Sequence, residues 1–402
     1  MSDETSRRNF LKGAAALTMA GRVRTGLGQA TRTRPIRAYV GTYSSGEGGH
    51  GRGIYLFEMN PATGDLVQRD LTVTRENPSW IDLHPDRTHL FTVNEIGNFQ
   101  GTDSGAVSVY AIDSSSGRLR LLNTVSSEGS GPAYLSVHPS GRYVMVANYG
   151  AGSIAVLPVR SGGELGPATD VKHDHGIPGK KHATDAPPGS FLVSGHEGPH
   201  AHMIHSDPKG RYVLHTDLGL DRIYVWTLDL EKGKLSPNRP PFVSLPSGDG
   251  PRHFAFHPAR PWMYSLQEEA STLALFDYDA AKGTLSHRQT VSSLPPGFVG
   301  TSQASEVRVS SDGRFAYAAN RLHDSISRFA IGTDGRLSFR GEEWTRGDTP
   351  RSFNLDPSGT FVYSCNQLTD AITVYQRDAR SGRLRFTGRY VSVGTPAAII
   401  FT

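Results

Sequence analysis

The side chains with chemical potential in this 402-residue chain stand at two fixed positions of a repeated unit. Arg252 and His253 directly follow Pro251, and Glu268 stands sixteen residues after Arg252, beyond the end of the next predicted strand. Arginine offers a planar, permanently charged fork for carboxylates and oxyanions, whereas histidine and glutamate accept protons. The equivalent positions of other units hold further polar residues, namely His200, Ser305, Glu306, Arg351, Glu95, Asn148, Gln267, Asn320, Arg321 and Asn366.

These positions differ from unit to unit, although the surrounding scaffold is repeated. A purely structural repeat is satisfied by small or apolar residues there, so the charges predict a polar pocket for an anionic or oxygen-rich ligand. A structural explanation stays open for individual residues. His253 suits a hydrogen-bonded scaffold role, and Arg252 with Glu268 suits an inter-strand ion pair.

The repeat itself predicts an all-β fold. Seven Gly-x-Leu turns follow short alternating strands, and glycine supplies the positive φ that a tight hairpin needs. Six longer units run from a strand-opening residue to a polar residue, five of them over 16 residues and the Pro199–Asp217 unit over 18, with two extra residues placed in 205–208. Repeats of roughly 45–65 residues are typical of a β-propeller or a solenoid. The turns are Gly64-Asp65-Leu66, Gly117-Arg118-Leu119, Gly163-Glu164-Leu165, Gly233-Lys234-Leu235, Gly283-Thr284-Leu285, Gly335-Arg336-Leu337 and Gly382-Arg383-Leu384.

A seventh long unit is split between the two ends of the repeat region. The segment 395–401 resembles its opening strand, and the segment 38–43 resembles its second strand. Pairing of these two segments closes a ring and removes exposed sheet edges, whereas a solenoid would need distinct capping repeats. We therefore predict a seven-bladed β-propeller, closed by the C-terminal strand joining the N-terminal blade.

The N-terminal segment has the features of an export signal peptide. The segment Ser6-Arg7-Arg8-Asn9-Phe10-Leu11-Lys12 resembles a twin-arginine signal, and the apolar run after it is too short to span a bilayer. We predict a signal peptide over residues 1–30, a propeller domain over 31–402 and a periplasmic or secreted protein. Residues 1–30 hold five basic and two acidic residues, so the formal charge of +4 falls to +1 after cleavage. This balance gives no support for nucleic-acid binding.

A long insert, residues 166–194, precedes the histidine-rich segment and is predicted to form a lid at the rim of the channel. His173, His175 and His182 have loose metal-like spacing, but the insert offers no cysteines and no rigid scaffold for ligands. We therefore expect neither a metal nor another cofactor.

Several motifs together resemble the seven-bladed 6-phosphogluconolactonase family. They are His196-Glu197-Gly198-Pro199-His200-Ala201-His202, Gly250-Pro251-Arg252-His253, Ser305-Glu306-Val307-Arg308, Ala319-Asn320-Arg321, Tyr39-Val40-Gly41-Thr42-Tyr43 and Asn148-Tyr149. The match covers about residues 36–402, and the fungal muconate-lactonising enzymes are similar in the same motifs. The resemblance implies a lactone site built from His200 or His202, Arg252, Glu268, and Arg308 or Arg321.

Opening a lactone with water requires a base and stabilisation of a tetrahedral oxyanion. We expect Glu268 or His202 to act as the base, Arg252 to stabilise the oxyanion, and Arg308 or Arg321 to hold an anionic tail of the substrate. Substrate-binding roles are expected for Glu95, Asn148, His253, Gln267, Glu306, Asn320 and Asn366.

Export favours an unphosphorylated aldonolactone as the substrate, because phosphogluconolactone is a cytosolic intermediate. We expect the enzyme to be a monomer. Two alternatives stay open, a non-catalytic propeller that binds a ligand or protein at the same mouth and a muconate-type lactonising cycloisomerase.

Overall fold

The computed structural model describes residues 35–46, 48–74, 76–193 and 195–402, so the predicted signal peptide lies outside the described residues. Twenty-eight strands and one short 3₁₀ turn, Gln367–Thr369, make up the regular structure of this part of the chain. The strands are β1 (Ile36–Thr42), β2 (Gly53–Met59), β3 (Leu66–Val73), β4 (Ile81–Leu83), β5 (His89–Asn94), β6 (Ala106–Ile112), β7 (Leu119–Ser126), β8 (Pro132–Val137), β9 (Tyr143–Asn148), β10 (Ser153–Pro158), β11 (Asp170–His173), β12 (Ala201–Ser206), β13 (Tyr212–Asp217), β14 (Arg222–Asp229), β15 (Lys234–Ser244), β16 (Pro251–Phe256), β17 (Trp262–Gln267), β18 (Thr272–Asp279), β19 (Thr284–Ser292), β20 (Gln303–Val309), β21 (Phe315–Arg321), β22 (Ser325–Ile331), β23 (Leu337–Trp344), β24 (Pro350–Leu355), β25 (Phe361–Asn366), β26 (Ala371–Arg377), β27 (Leu384–Ser392) and β28 (Pro396–Phe401).

The strands form seven antiparallel four-stranded sheets, which are the blades of a propeller. Blade 1 has the order β28-β1-β2-β3, and blades 2 to 7 each use four consecutive strands, from β4–β7 to β24–β27. In blade 1 Ala38 pairs with Phe401 and Val40 with Ile399. The predicted seven-bladed propeller and its closure by the C-terminal strand are confirmed.

The repeated turns hold each blade against the next one. All seven turn glycines have φ between 65° and 86°. A Cβ added at Gly64 in blade 1 would lie 2.5 Å from the Phe361 ring of blade 7, so this position also lacks room for a side chain. The Tyr363 hydroxyl of blade 7 donates to the Gly64 carbonyl oxygen at 2.9 Å, and Tyr39, Tyr264 and Tyr317 make the same bond to the next blade along. The turn and its aromatic partner therefore form one inter-blade contact.

The histidines of the His-Pro turns make a second contact between blades. A ring nitrogen of His84, His138 and His257 lies 3.1, 2.9 and 2.9 Å from the carbonyl oxygens of Gly141, Gly210 and Gly313, each in the following blade. These histidines are structural.

Strand pairing corrects the register of the Pro199–Asp217 unit, which forms the inner strands of blade 4. Ala201, not Pro199, pairs with Asp217, just as Pro132 pairs with Asn148 and Pro251 with Gln267. This restores the 16-residue spacing, and the prediction of two extra residues in 205–208 is wrong. Pro199 lies before the strand and only imitates the opening proline.

The predicted insert begins later than expected, because β11 within it is the outer strand of blade 3. The segment 174–193 lies along loops at the start of neighbouring innermost strands. Gly179 N donates to Gly219 O at 2.9 Å, and Phe191 N donates to Thr301 Oγ1 at 3.0 Å. Backbone bonds therefore fix this segment on the side where the innermost strands begin.

Ring closure by β28 should support the stability of the whole propeller. Ile399 on this strand is 2% exposed and packs against blade 7. We expect Ile399→Ala to lower the free energy of unfolding by about 2–5 kcal/mol through the lost transfer term and the cavity. Tyr390→Ala, at a side chain 56% exposed, is the matched control and should change it by less than about 0.5 kcal/mol. Chemical denaturation measures both; an unchanged Ile399→Ala midpoint would show that β28 is not part of the cooperative unit.

Candidate active site

Two register-equivalent positions meet at the end of the channel where the innermost strands begin, which we call the mouth. The first is the bulged residue one place after the strand opening, occupied by His202, Arg252 and Arg351 in blades 4, 5 and 7. The second follows the polar end of the next strand and holds Glu95, Tyr149, Glu268 and Arg321. A β-bulge leaves one residue out of the hydrogen-bonded ladder and changes the direction of its side chain. The side chains of the first position therefore point to the mouth.

Glu268 joins two arginines at the centre of the mouth. Its Oε2 lies 2.7 Å from Arg252 Nε and 2.8 Å from Arg321 Nη2, and its Oε1 accepts from Gln303 Nε2 at 2.9 Å. The Arg252 contact is an ion pair without hydrogen-bond alignment, since no aligned acceptor meets its Nε among the described residues. Arg252 Nη1 also donates to the Ser305 carbonyl oxygen. The three side chains are buried and hold one another in place.

A second charged group lies at the side of the mouth. Glu95 Oε2 accepts from the Tyr43 hydroxyl at 2.8 Å and from Ser79 Oγ, and Arg351 Nη2 lies 3.9 Å from Glu95 Oε1. The Arg351 guanidinium also lies over the Tyr43 ring, 5.4 Å from its centroid. Arg351 is 20% exposed at its side chain and so remains open to a ligand.

Arg351, Tyr43 and Tyr149 belong to the mouth although the site assignment from sequence omits all three. The signal for them is in the sequence, because Arg351 occupies the same repeat position as Arg252. Tyr43 and Tyr149 occupy the same position as Glu268.

The structure separates the two candidate histidines. His202 is the register equivalent of Arg252, and its Nδ1 is buried with no hydrogen-bond partner among the described residues. His200 stacks on Tyr149 at 4.4 Å, and its ring nitrogens bond Tyr149 O at 2.8 Å and Glu197 Oε1 at 2.9 Å. Nε2 of His202 makes no hydrogen bond among the described residues and is not one of the enclosed atoms, so it is the ring nitrogen that can meet a ligand, whereas both nitrogens of His200 are engaged.

Below the mouth an aromatic and polar layer fills the channel. His253 lies edge-on to Trp80 at 5.3 Å and to Tyr134 at 5.2 Å, and the two larger rings stack at 4.3 Å. Arg252 Nη1 donates to His253 Nε2 at 3.3 Å, so neutral His253 carries its proton on Nδ1, which lies 3.3 Å from Glu306 Oε1. His253 and Glu306 are buried in this plug and support Arg252 from behind; the geometry gives neither a direct contact with a ligand at the mouth.

Arg308 lies on the far side of this plug. It stands four residues after Ala304, the register equivalent of Pro251, and its Nη2 is 3.4 Å from Glu306 Oε2. It lines a separate cavity with Trp80 and His205. Of the two arginines offered as holders of the substrate's tail, only Arg321 belongs to the mouth.

The repeated spacing of the amide residues within the chain has a structural cause. Asn148, Asn320 and Asn366 are fully buried, and their Nδ2 atoms donate to the carbonyl oxygens of Ser127, Ser293 and Thr345 at 2.9–3.1 Å. Each acceptor follows the outer strand of the preceding blade, so the amide fixes the crossover between blades. Gln267 bonds Ser265 and Thr272 within its own blade. All four amides are therefore engaged by the scaffold, and their substrate-binding role stays a prediction.

Burial and neighbouring charges set the protonation states at the mouth. Burial would raise the pKa of Glu268, but the Arg321 and Arg252 charges outweigh it and hold this pKa below its usual value. Burial and the Arg321 and Arg351 charges lower the pKa of Arg252 to about 9, which leaves it protonated at neutral pH. Burial and the arginine charges lower the pKa of His202 well below its usual value. The carboxylate is thus ionised and His202 neutral.

In the plug, burial raises the pKa of Glu306 against the opposing effects of Arg308 and Arg252. His253 has its pKa lowered well below the usual value by burial and by the Arg252 charge.

This arrangement provides what an acyl-transfer site requires. Rigid guanidinium donors in a water-poor pocket stabilise negative charge without reorganisation, and a neutral imidazole with an unused nitrogen can accept a proton. In the described part of the chain, no group of three His, Cys, Asp or Glu side chains is placed to hold a metal ion. No helix among the described residues is long and apolar enough to cross a membrane.

Comparisons with known proteins show the family of the propeller and the class of the N-terminal segment. Residues 37–401 match the family model for the seven-bladed β-propeller lactonases, and residues 4–21 match that for twin-arginine signal sequences. The chain is therefore exported through the twin-arginine pathway to the periplasm or beyond.

A 6-phosphogluconolactonase of Bacillus subtilis is 33% identical over 365 residues, which cover 90% of this chain and 97% of that protein. A 6-phosphogluconolactonase of Serratia proteamaculans is 32% identical, over 84% of this chain and 92% of that protein. The structure of the periplasmic gluconolactonase of Pseudomonas aeruginosa is 32% identical, with a TM-score of 0.80 over 91% of this chain and 98% of that one. With its closed propeller and arginine-rich mouth, this chain belongs to the seven-bladed β-propeller lactonase family.

Proposed function

We propose that this protein hydrolyses an unphosphorylated sugar lactone outside the cytoplasm. In this proposal it acts as a monomer and does not bind nucleic acid. The observation that carries the proposal is the convergence of Arg252, Glu268 and Arg321 in a buried cluster beside neutral His202. Export supports a substrate found outside the cytoplasm, and the Pseudomonas aeruginosa relative is a periplasmic gluconolactonase.

The charge of the mouth favours a neutral lactone over a phosphorylated one. In the arginine–glutamate contacts of the mouth, three arginines face two glutamates, which leaves one positive charge in this cluster for the ligand. Hydrolysis of a neutral lactone creates one negative charge, first on the oxyanion and then on the carboxylate product. A 6-phosphate would add close to two further negative charges at neutral pH, for which the cluster has no additional cation.

His202 is the base in our proposal. It takes a proton from water as the water oxygen attacks the lactone carbonyl carbon, and Arg252 and Arg321 stabilise the resulting oxyanion. The ring C–O bond then breaks, and the departing alkoxide oxygen takes the proton from His202. Positive charge on His202 and negative charge on the oxyanion arise together, so the net charge of the mouth is unchanged in this step.

Glu268 is less suited to the role of base. Both of its carboxylate oxygens are engaged, Oε2 by the two arginines and Oε1 by Gln303, so neither oxygen is free to accept a proton from water. We assign it the orientation of Arg252 and Arg321. Arg351 with Glu95 and Tyr43 lies at the side of the mouth, where it can bind hydroxyls or the carboxylate of the product.

A substrate comparison tests the proposed substrate class. With the mature protein, glucono-δ-lactone should have a kcat/KM at least about tenfold above that of 6-phosphoglucono-δ-lactone, equivalent to about 1.4 kcal/mol. Rates are measured by acid release and corrected for spontaneous hydrolysis. A preference for the phosphorylated lactone would contradict the charge argument but keep the lactonase assignment. No enzymatic rate on either lactone would favour the non-catalytic propeller.

Replacement of Arg252 tests its role in the transition state. Arg252→Ala should lower kcat by about 10²–10³-fold with a much smaller change in KM, as expected for loss of an oxyanion donor. Arg288→Ala is the matched control, because it removes a surface arginine paired with Asp277. Melting temperatures are measured alongside the rates. A lower melting temperature with unchanged turnover per folded molecule would leave Arg252 with only a structural role in its ion pair.

The pH dependence tests His202 as the base. Since the pKa of His202 lies well below its usual 6.5, the neutral base is already fully formed at pH 7. We expect kcat/KM to stay constant from about pH 7 to 8 and to fall only below the ordinary histidine range. His202→Gln should remove this acid limb together with most of the activity, whereas His200→Gln should retain the wild-type profile. A limb centred at or above pH 6.5 would contradict the assignment.

A further inference from the structure

The channel has a cavity at the end opposite the mouth. It has a volume of about 360 Å³, within the range of small-molecule sites. Four of its polar lining residues, Asp82, His205, Arg308 and Asn354, share one repeat position, four residues after the unit's opening residue. The exposed Arg87, from the turn between β4 and β5, also lines the cavity. The shared repeat position is a further layer of the channel in which charged side chains from several blades meet.

The plug separates this cavity from the mouth. Trp80 and Tyr134 form part of the cavity wall and contact His253 on their inner side. A ligand in the cavity therefore meets the outer side of the plug and cannot touch Arg252. The cavity is a separate site and does not depend on the proposed lactonase reaction.

Arg308 is the polar anchor of the cavity. Its side chain is 32% exposed and its carboxylate contact, Glu306 Oε2, is distant at 3.4 Å. Its Nε is buried and has no hydrogen-bond partner among the described residues. Glu306 is also engaged by His253 and Val307 N, so it does not saturate this guanidinium. A carboxylate suits the planar arginine fork, to which it can bond through two oxygens.

The remaining walls restrict the ligand. Leu83, Leu135, Leu355 and Phe401 supply apolar surface for a hydrocarbon body of the size of one ring. Asp82 stands at the same height as Arg308, and its carboxylate accepts from the backbone N–H groups of Leu83 and Val137. It would repel a second negative charge. The chemistry thus fits one carboxylate on a compact apolar body.

We propose that the cavity behind the plug is a binding site for a small aromatic or branched monocarboxylic acid, anchored by Arg308. Phenylacetate is the probe, titrated calorimetrically into the mature protein. Saturable one-site binding is expected, and the neutral isostere 2-phenylethanol should bind at least about tenfold more weakly, since it lacks the charge-assisted bonds.

Variants with an arginine replaced at either end of the channel show at which end phenylacetate binds. Arg308→Ala should weaken phenylacetate binding by about tenfold or more, whereas Arg321→Ala at the mouth and the exposed Arg314→Ala should leave it within about twofold. Leu355→Trp fills the cavity without removing a charge and should also abolish binding. Melting temperatures show that each variant is folded.

Two results would overturn the proposal. One is the absence of saturable binding by the wild-type protein up to about 10 mM, a concentration that detects even a weak site. The other is loss of binding in Arg321→Ala with retention in Arg308→Ala and Leu355→Trp, which would place the carboxylate at the mouth.

Discussion

The ion pairs of Glu268 with Arg252 and Arg321 are the interaction on which the mouth depends. Arg252 is 2% exposed, and burying a guanidinium without a counter-charge costs several kcal/mol. One carboxylate placed between two arginines compensates much of this cost and keeps both guanidiniums fixed. The remaining positive charge is available to a ligand. The same contact that stabilises the folded mouth therefore also orients the groups proposed for catalysis.

The scaffold can hold such a cluster because its contacts between blades are repeated and local. Turn glycines, tyrosine hydroxyls and His-Pro turns join each blade to its neighbour, while buried asparagines fix the crossovers. The innermost strands then have little conformational freedom at their first residues. Seven similar blades can consequently carry different side chains at the bulged position, and a functional site arises from residues that the fold itself does not require.

Much of this was predictable from the sequence, because the repeat is visible as spacing. The closed seven-bladed ring and the approach of Arg252 to Glu268 follow from counting residues between equivalent strands. The errors have physical causes. Pro199 imitates a strand-opening proline, so the spacing alone leaves His200 and His202 as alternatives, and strand pairing shows that His202 matches Arg252.

The direction of individual side chains could not be predicted from the sequence. Asn148 and its equivalents stand beside the mouth in sequence but point into the crossover between blades. The sequence motifs alone do not show whether Arg308 or Arg321 lies near a ligand at the mouth. Strand β20, however, extends along the channel, and Arg308 near its end lies beyond the aromatic plug, at the end of the channel opposite the mouth. Sequence spacing predicts which strand a residue belongs to, and the depth of that residue along the channel depends on bulges and packing.

Close contacts between charged and polar groups continue through the plug. Glu306 lies between Arg308 and His253, and His253 accepts from Arg252, which contacts Glu268. Because a neutral histidine interrupts the line of charges, the excess positive charge at the mouth is not neutralised directly by Glu306. The Arg252 donor requires Nε2 of His253 to be the acceptor, which leaves the proton on Nδ1, 3.3 Å from Glu306 Oε1. The plug thus sets the direction of the central arginine without removing the charge that an oxyanion would need.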